Sequence, residues 1–421
     1  MAISSLIVGN FKGVGAEREI RLKPITVFIG PNSSGKSTCI HALACLSQTM
    51  KNTSLASTLM LDGESADVHL GRFTEVAHGR SYSDMITLGF SLDKTRYNKI
   101  DDAGKMVSAV GRARMKWTFR CIKRTQETCL SGGEFLIDSH RYKLSKKGKN
   151  LFLTNMQTNN SVVCKRPRSF LVDPFLAVRA AKSKTAFDVF REFVPVWSLN
   201  QTIQEELLNT RYLGPFRQQP LRRYPMHGAN RTEVGALGEG TVPMLANETI
   251  QSRSRQHLAR VAKWLNEMGL AQRIDLTRVG SSDLFDVSLG LPDGVKLPLA
   301  DLGYGCSQVL PVIAQCSYCD SSATLLFEQP ELHLHSVSAR ALAGVFIDTA
   351  KRTDAKILIE THSPDMLKEF FSRMRKGQFR LDDFVAYKVT RLDKETQLRE
   401  IAIDPDDIDV LDNWEKGISI N

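Results

Sequence analysis

One stretch constrains this chain more than any other: Gly30-Pro31-Asn32-Ser33-Ser34-Gly35-Lys36-Ser37-Thr38 fits the pattern Gly-x4-Gly-Lys-Ser/Thr. An apolar alternating run ends just before it at Ile29. Residues 36–50 after it carry Ile40, Leu43, Ala44 and Leu46 on one helical face. Strand, glycine-rich loop and helix in that order make a phosphate cradle. Gly30 and Gly35 let the backbone curl until successive N–H groups converge, and the helix start adds partial positive charge. The Lys36 ammonium is the group that reaches β- and γ-phosphates, and the Ser37 hydroxyl the one that ligates Mg²⁺. The expected ligands are therefore ATP and Mg²⁺, with the segment from Gly30 to Thr38 around the phosphates.

The rest of the chain divides by pattern. Residues 2–10 and 19–30 read as two strands linked through Lys12-Gly13, with Ile20, Leu22, Ile25, Val27 and Ile29 as the apolar positions. Between 85 and 165, the runs 85–90, 115–119, 133–137 and 151–154 read as short antiparallel strands. Lys143, Lys146, Lys147 and Lys149 read as a basic turn between two of them, either solvated or touching phosphate. Residues 177–197 and 257–270 carry helical spacing. The stretch between them, from Arg211 through Arg217, Arg222 and Arg223 to Arg231, is basic and loop-rich. Past residue 285 the pattern returns to α/β, with buried strands at 324–328 and 357–360. The acidic run 404–415 reads as a surface cap. The expected organisation is an N-terminal lobe at 1–165, a mainly helical insertion at 166–284 and a C-terminal lobe at 285–421. The two outer lobes share one α/β core and assemble the nucleotide site.

Composition removes some classes. No apolar run approaches the roughly 20 residues of a membrane-spanning helix, so no membrane partner is expected. The first residues show neither a basic leader nor a small-residue cleavage site, the pattern of a cytoplasmic protein. A formal charge of +10 suits phosphate or nucleic-acid partners, or simply a solvated basic surface. The eight cysteines form no paired framework. Cys316 and Cys319 form a lone CxxC inside an apolar stretch, which favours packing over metal or redox use.

The second carboxylate-bearing motif follows the strand at 324–328, which ends in Glu328, a group suited to the outer coordination of a P-loop metal. The run Glu328-Gln329-Pro330-Glu331-Leu332-His333-Leu334-His335 resembles the extended Walker B motif and D-loop of ABC-type ATPases. Its Pro-Glu-x-His-Leu-His form is typical of their OLD-like and RecF-like branch. Asn10-Phe11-Lys12-Gly13, followed by the strand at 25–29 and Gly30-Pro31-Asn32, resembles the opening of RecF, OLD and chromosome-maintenance heads. Glu360-Thr361-His362-Ser363 resembles their switch-histidine motif, and residues 301–308 stand at their signature motif. The resemblance covers roughly half of the chain, at its two ends.

The resemblance implies an ABC-type P-loop NTPase head of the α/β class, with an antiparallel β subdomain and an inserted mainly helical subdomain. It further implies a composite site in which two heads sandwich nucleotide, each P-loop facing the other's signature loop. Gly303, Gly305, Ser307 and Gln308 then sense the γ-phosphate at a helix starting near Gln308; an ordinary serine N-cap is the plainer reading. Lys36, Glu328, Gln329, Glu331 and His362 are the catalytic candidates. Ser37 and Glu328 are the Mg²⁺ candidates, the carboxylate acting through water. His333 and His335 belong to the D-loop, and their i, i+2 spacing does not suit zinc.

Two departures bear on activity. Gln329 stands where these ATPases usually carry a catalytic glutamate, and an amide cannot accept a proton as a carboxylate does; slow hydrolysis is expected. The stretch 75–80 lacks the glutamine of the family's Q-loop, so His78 is either its substitute or a turn histidine. After His362 there is no nuclease domain of the OLD type, and no long heptad coiled coil is present. The expectation is an ATPase subunit that self-associates on ATP and controls a separately encoded nuclease or toxin in anti-phage defence. A RecF-like DNA-binding ATPase and a nucleotide-gated scaffold are the alternatives.

Overall fold

The computed structural model describes residues 2–52, 58–101, 103–164, 169–174, 184–225, 233–251 and 254–402. The acidic run 404–415, residues 226–231 of the basic stretch and residues 177–183 of the expected helix lie outside the described residues. The chain opens with strands β1 (Ala2–Gly9), β2 (Arg18–Arg21) and β3 (Ile25–Ile29), then helices α1 (Ser37–Lys51) and α2 (Phe73–Val76). Six strands follow: β4 (Ile86–Ile100), β5 (Met106–Cys121), β6 (Thr128–Ile137), β7 (His140–Lys147), β8 (Asn150–Asn155) and β9 (Ser161–Cys164). Helix α3 (Lys184–Leu208) leads to β10 (Thr210–Leu213), β11 (Tyr224–Pro225), α4 (Thr241–Gln251) and α5 (Gln256–Glu267). Then come β12 (Arg273–Arg278), β13 (Leu284–Gly290), β14 (Lys296–Pro298), α6 (Tyr304–Ser317), β15 (Thr324–Glu328) and α7 (Ser336–Arg352). The described chain closes with β16 (Lys356–Thr361), α8 (Pro364–Arg375), β17 (Phe384–Leu392) and β18 (Glu395–Glu400).

These elements form two compact units. The first comprises Met1–Leu22, Asn32–Thr210 and Thr390–Gln397. Its eight-stranded sheet runs β2-β1-β4-β5-β6-β7-β8-β9, each neighbour antiparallel. Alternation explains the sheet: Leu88, Phe90, Met115, Trp117 and Phe119 turn inward and are fully buried. Trp117 packs against Phe170 at 4.7 Å and Phe90 at 5.7 Å. Buried aromatic side chains of this size each stabilise by roughly 1.5–3 kcal/mol. Helix α3 lays Phe193, Val196, Leu199, Ile203 and Leu207 inward at helical spacing. The Ser198 hydroxyl accepts from the Asn98 amide at 2.8 Å, which fixes the helix against β4.

The expected basic turn at 143–149 is mostly a strand. Lys143, Lys146 and Lys147 lie in β7, and only Gly148 and Lys149 turn into β8. The period-two pair Tyr142 and Leu144, both buried, carries the strand into the core. Lys143 and Lys147 dominated the sequence pattern because they occupy its wet face.

The second unit comprises Lys23–Pro31, Arg211–Val389 and Leu398–Asn421. Its main sheet runs β10-β15-β16-β3-β17-β18, with β15, β16, β3 and β17 parallel neighbours. Strands β3 and β15 are buried at every position, as parallel strands covered on both faces must be. Phe327 of β15 meets Phe346 of α7 at 5.3 Å inside one continuous apolar core. A smaller antiparallel sheet, β11-β13-β12 with β14 on β13, accompanies it. The architecture is α/β with a large antiparallel sheet, the class expected from the sequence. Among the described residues no helix is long and apolar enough to cross a membrane.

Candidate nucleotide site

In the second unit three parallel strands deliver three motifs to one edge. Glu328 lies opposite Glu360 in the β15–β16 register, and Thr361 lies opposite Ile29 in the β16–β3 register. The exits into Gln329, His362 and Gly30 therefore share the carboxyl edge of the sheet, where open α/β sheets bind ligands. Glu328 is 5% exposed, and its Oε1 accepts from the Tyr212 hydroxyl at 3.0 Å. Gln329 takes a left-handed backbone, φ 45°, a conformation that non-glycine residues adopt only when held. Its amide donates to the Glu360 carbonyl at 2.8 Å. Its carbonyl accepts from Arg217 Nη2 at 3.1 Å, and the same nitrogen donates to the Glu328 carbonyl at 3.0 Å.

Glu331 does not hang free beside Gln329. Its Oε1 accepts from the Thr361 hydroxyl at 2.7 Å and from the His362 amide at 2.9 Å, so it fastens the switch segment. Ser363 caps α8 by accepting from the Met366 amide at 3.2 Å. His335 is the N-cap of α7, and His333 sits at φ 66° in the turn before it.

The signature helix starts earlier than the sequence suggested. Gly303 is the N-cap and α6 begins at Tyr304, not at Gln308. Gly305 lies inside the first turn because a Cβ there would stand 3.0 Å from the His333 carbonyl; close packing of α6 on the D-loop demands it. Ser307 is thus buried, its hydroxyl donating back to the Tyr304 carbonyl at 3.0 Å, and Gln308 is buried too. The exposed groups at this helix start are Gly303 and Tyr304.

In the first unit the P-loop is curled as a cradle. Ser33 has φ 62° and Gly35 φ 94°. Lys36 is 3% exposed, Ser34 is buried and Ser37 is half-buried at the start of α1. A curled loop at a helix start with a buried ammonium fits a polyphosphate. The Ser37 hydroxyl at the start of α1 is a hard oxygen donor of the kind that suits Mg²⁺.

Sequence reading missed what supports this loop. Thr396 in β18 donates its hydroxyl to the Ser34 carbonyl at 3.1 Å and its amide to the Gly13 carbonyl at 2.7 Å. A Cβ on Gly13 or on Gly35 would fall 2.1 Å from Thr396 Oγ1, so both glycines are fitted around this one side chain. Beside them Lys12 Nζ meets His41 Nδ1 at 2.5 Å, and His78 Nδ1 faces the Lys12 carbonyl at 3.0 Å. His78 Nε2 stands 3.9 Å from Glu395.

Of the described basic residues in this stretch, Arg217 turns inward while Arg222 and Arg223 are exposed. Arg217 is 7% exposed; burial pushes its guanidinium pKa down to about 10, against the attraction of the Glu331 carboxylate. Arg222 makes a two-pronged pair with Asp301, at 2.6 and 3.1 Å. Cys316 and Cys319 are buried free thiols, their pKa values raised by burial.

Residues 1–166 match the family model described as an AAA ATPase domain. Residues 211–367 match the one described as an AAA domain, putative AbiEii toxin, Type IV TA system. Both segments are thus similar to AAA domain models. No curated protein matches it. Among solved structures it is similar to the SMC head domain from Thermotoga maritima (9% identity, 96% of this chain and 100% of that one, TM-score 0.42). It is also similar to an SmcHead bound to the C-winged helix domain of ScpA (9%, 96% and 98%, TM-score 0.49). A third is the Smc head domain with an extended coiled coil, bound to the C-terminal domain of ScpA, from Pyrococcus furiosus (8%, 99% and 98%, TM-score 0.48).

Proposed function

We propose that this chain is a Mg²⁺-dependent ATPase that works by ATP-driven self-association and controls a separately encoded nuclease or toxin in anti-phage defence. The observation that carries the ATPase reading is the shared edge of β3, β15 and β16, where the P-loop entry, Glu328 and His362 leave three parallel strands in register. In this reading the N–H groups of residues 30–38 and the Lys36 ammonium hold the phosphates, while the Ser37 hydroxyl and, through water, Glu328 hold the metal. Bound Mg²⁺ supplies charge neutralisation on the β- and γ-oxygens. His362 orients the attacking water. Gln329 positions but does not deprotonate, so turnover is slow. The exposed start of α6 at Gly303 and Tyr304 is the surface offered to a second copy's nucleotide. The defence role draws on the toxin–antitoxin wording of the family model over 211–367.

DNA binding has less support. Arg217 is buried on the Glu328 and Gln329 carbonyls and the exposed Arg222 is paired with Asp301, which leaves fewer unengaged charges for phosphates than the sequence promised.

The test is ATP turnover by the purified chain over a protein-concentration series, with Lys36→Ala as the control. Specific activity that rises with concentration and disappears in the variant is the expected result. ATP bound without turnover sinks the enzyme reading; flat specific activity sinks the composite site.

A further inference from the structure

We infer that Arg217 is a positioning residue for hydrolysis, working with Glu331 as one charged tie between the loops that carry Gln329 and His362. The inference rests on the ATPase reading above and adds a residue outside every nucleotide-binding motif.

Arg217 sits in the linker after β10, far in sequence from either loop. One of its nitrogens, Nη2, holds both the Glu328 and the Gln329 carbonyls. That grip bears on a strained point, because Gln329 has φ 45° and no glycine to relieve it. With the Gln329 amide held by the Glu360 carbonyl, the peptide groups on both sides of its Cα are fixed and its side chain has a set direction. Glu331 does the same one strand over, through the Thr361 hydroxyl and the His362 amide.

The two charges need each other. Nε and Nη1 of Arg217 and Oε2 of Glu331 are all buried without a hydrogen-bond partner. The Glu331 charge favours the buried guanidinium. An arginine that only capped two carbonyls would be an expensive choice in a site this buried, since a neutral donor could do so without desolvating a charge. A cation drawn to the carboxylate that grips the neighbouring loop couples the two loops electrostatically. Moving either loop separates the charges in a low-dielectric interior.

The experiment is steady-state kinetics and fluorescent-ATP binding on wild type, Arg217→Met, Arg217→Lys and the double variant Arg217→Met/Glu331→Gln. Arg217→Met is expected to lower kcat about a hundredfold, the scale of a misplaced catalytic group, with KM and nucleotide affinity nearly unchanged. Arg217→Lys keeps the charge and recovers part of kcat. Glu331→Gln keeps an acceptor for Thr361 and His362 and removes the stranded charge, so the double variant turns over faster than Arg217→Met alone. Unchanged kcat in Arg217→Met overturns the inference. So does loss of kcat and ATP binding in equal proportion in both Arg217→Met and Arg217→Lys, which marks a residue needed only for folding. A wild type with no Lys36-dependent turnover overturns the ATPase reading itself, before any Arg217 variant is measured.

Discussion

At the scale of single residues, the P-loop depends on a threonine that no motif contains. Thr396 bonds the Ser34 carbonyl and fills the space that Cβ atoms on Gly13 and Gly35 would occupy. Thr396→Val keeps the shape but leaves that carbonyl without its donor, a loss of roughly 1 kcal/mol or more. The expected outcome is ATP binding weakened about fivefold to tenfold, with Thr396→Ser close to wild type, read by titration of a fluorescent ATP analogue. Equal affinity in all three proteins removes Thr396 from the site. Gln329 makes a second case. Its backbone is already fixed, so Gln329→Glu places a carboxylate where the amide was, and general-base catalysis typically contributes 10²–10⁴-fold. Turnover should rise at least about tenfold over wild type; a Gln329→Glu protein no faster than its parent would falsify the assignment of this position. Both cases show why sequence legibility was uneven. The P-loop could be read because its residues are consecutive and each has a distinct backbone job. Thr396 and Arg217 act on partners more than a hundred residues away, and no local spacing records such a contact.

At the scale of elements, boundaries failed where two signals competed. Lysines on the wet face of β7 hid the alternation of Tyr142 and Leu144. Gly305 was expected ahead of a helix starting near Gln308, although it lies inside α6 and marks its close packing on the D-loop. The apolar strands β3, β15 and β16 were legible because burial on both faces leaves no polar position to confuse the pattern. Helix α3 offers a test of element stability. Burial, with the like charge of Glu205 adding to it, raises the Glu206 carboxyl from 4.5 to about 7. A raised carboxyl pKa favours the protonated form in the folded state. The helix therefore loses stability as pH climbs from about 4.5 through about 7, and the penalty is complete above that. Glu206→Gln should raise the melting temperature by a few degrees at pH 8, for a gain of roughly 1–2 kcal/mol. At pH 4.5 it should change little. Thermal scans at the two pH values decide it; an equal shift at both would mean the carboxyl is not the cause.

At the scale of the whole molecule, the order of motifs along the chain was legible, and the α/β class followed from it. How copies of the chain cooperate is set by surfaces, which sequence pattern does not encode. The proposed composite site makes a quantitative demand on that cooperation. If each P-loop works with another copy's signature helix, two differently damaged proteins should restore each other. Lys36→Ala removes the phosphate-binding ammonium. Gly303→Arg is the matching lesion: Gly303 is exposed, has an ordinary φ of −57° and has nothing within 4 Å of a built Cβ, so the fold tolerates the side chain while the helix start is blocked. Each variant alone should be inactive. Mixed in equal amounts, half of the two-fold dimers pair one of each, and in those dimers one site combines both lesions while the other has neither. The mixture should therefore reach about a quarter of wild-type turnover. A mixture as inactive as its components, with both proteins folded and still binding partner copies, means that each chain completes its own site. Signature and P-loop would then act in cis, and self-association would have no part in the proposed hydrolysis.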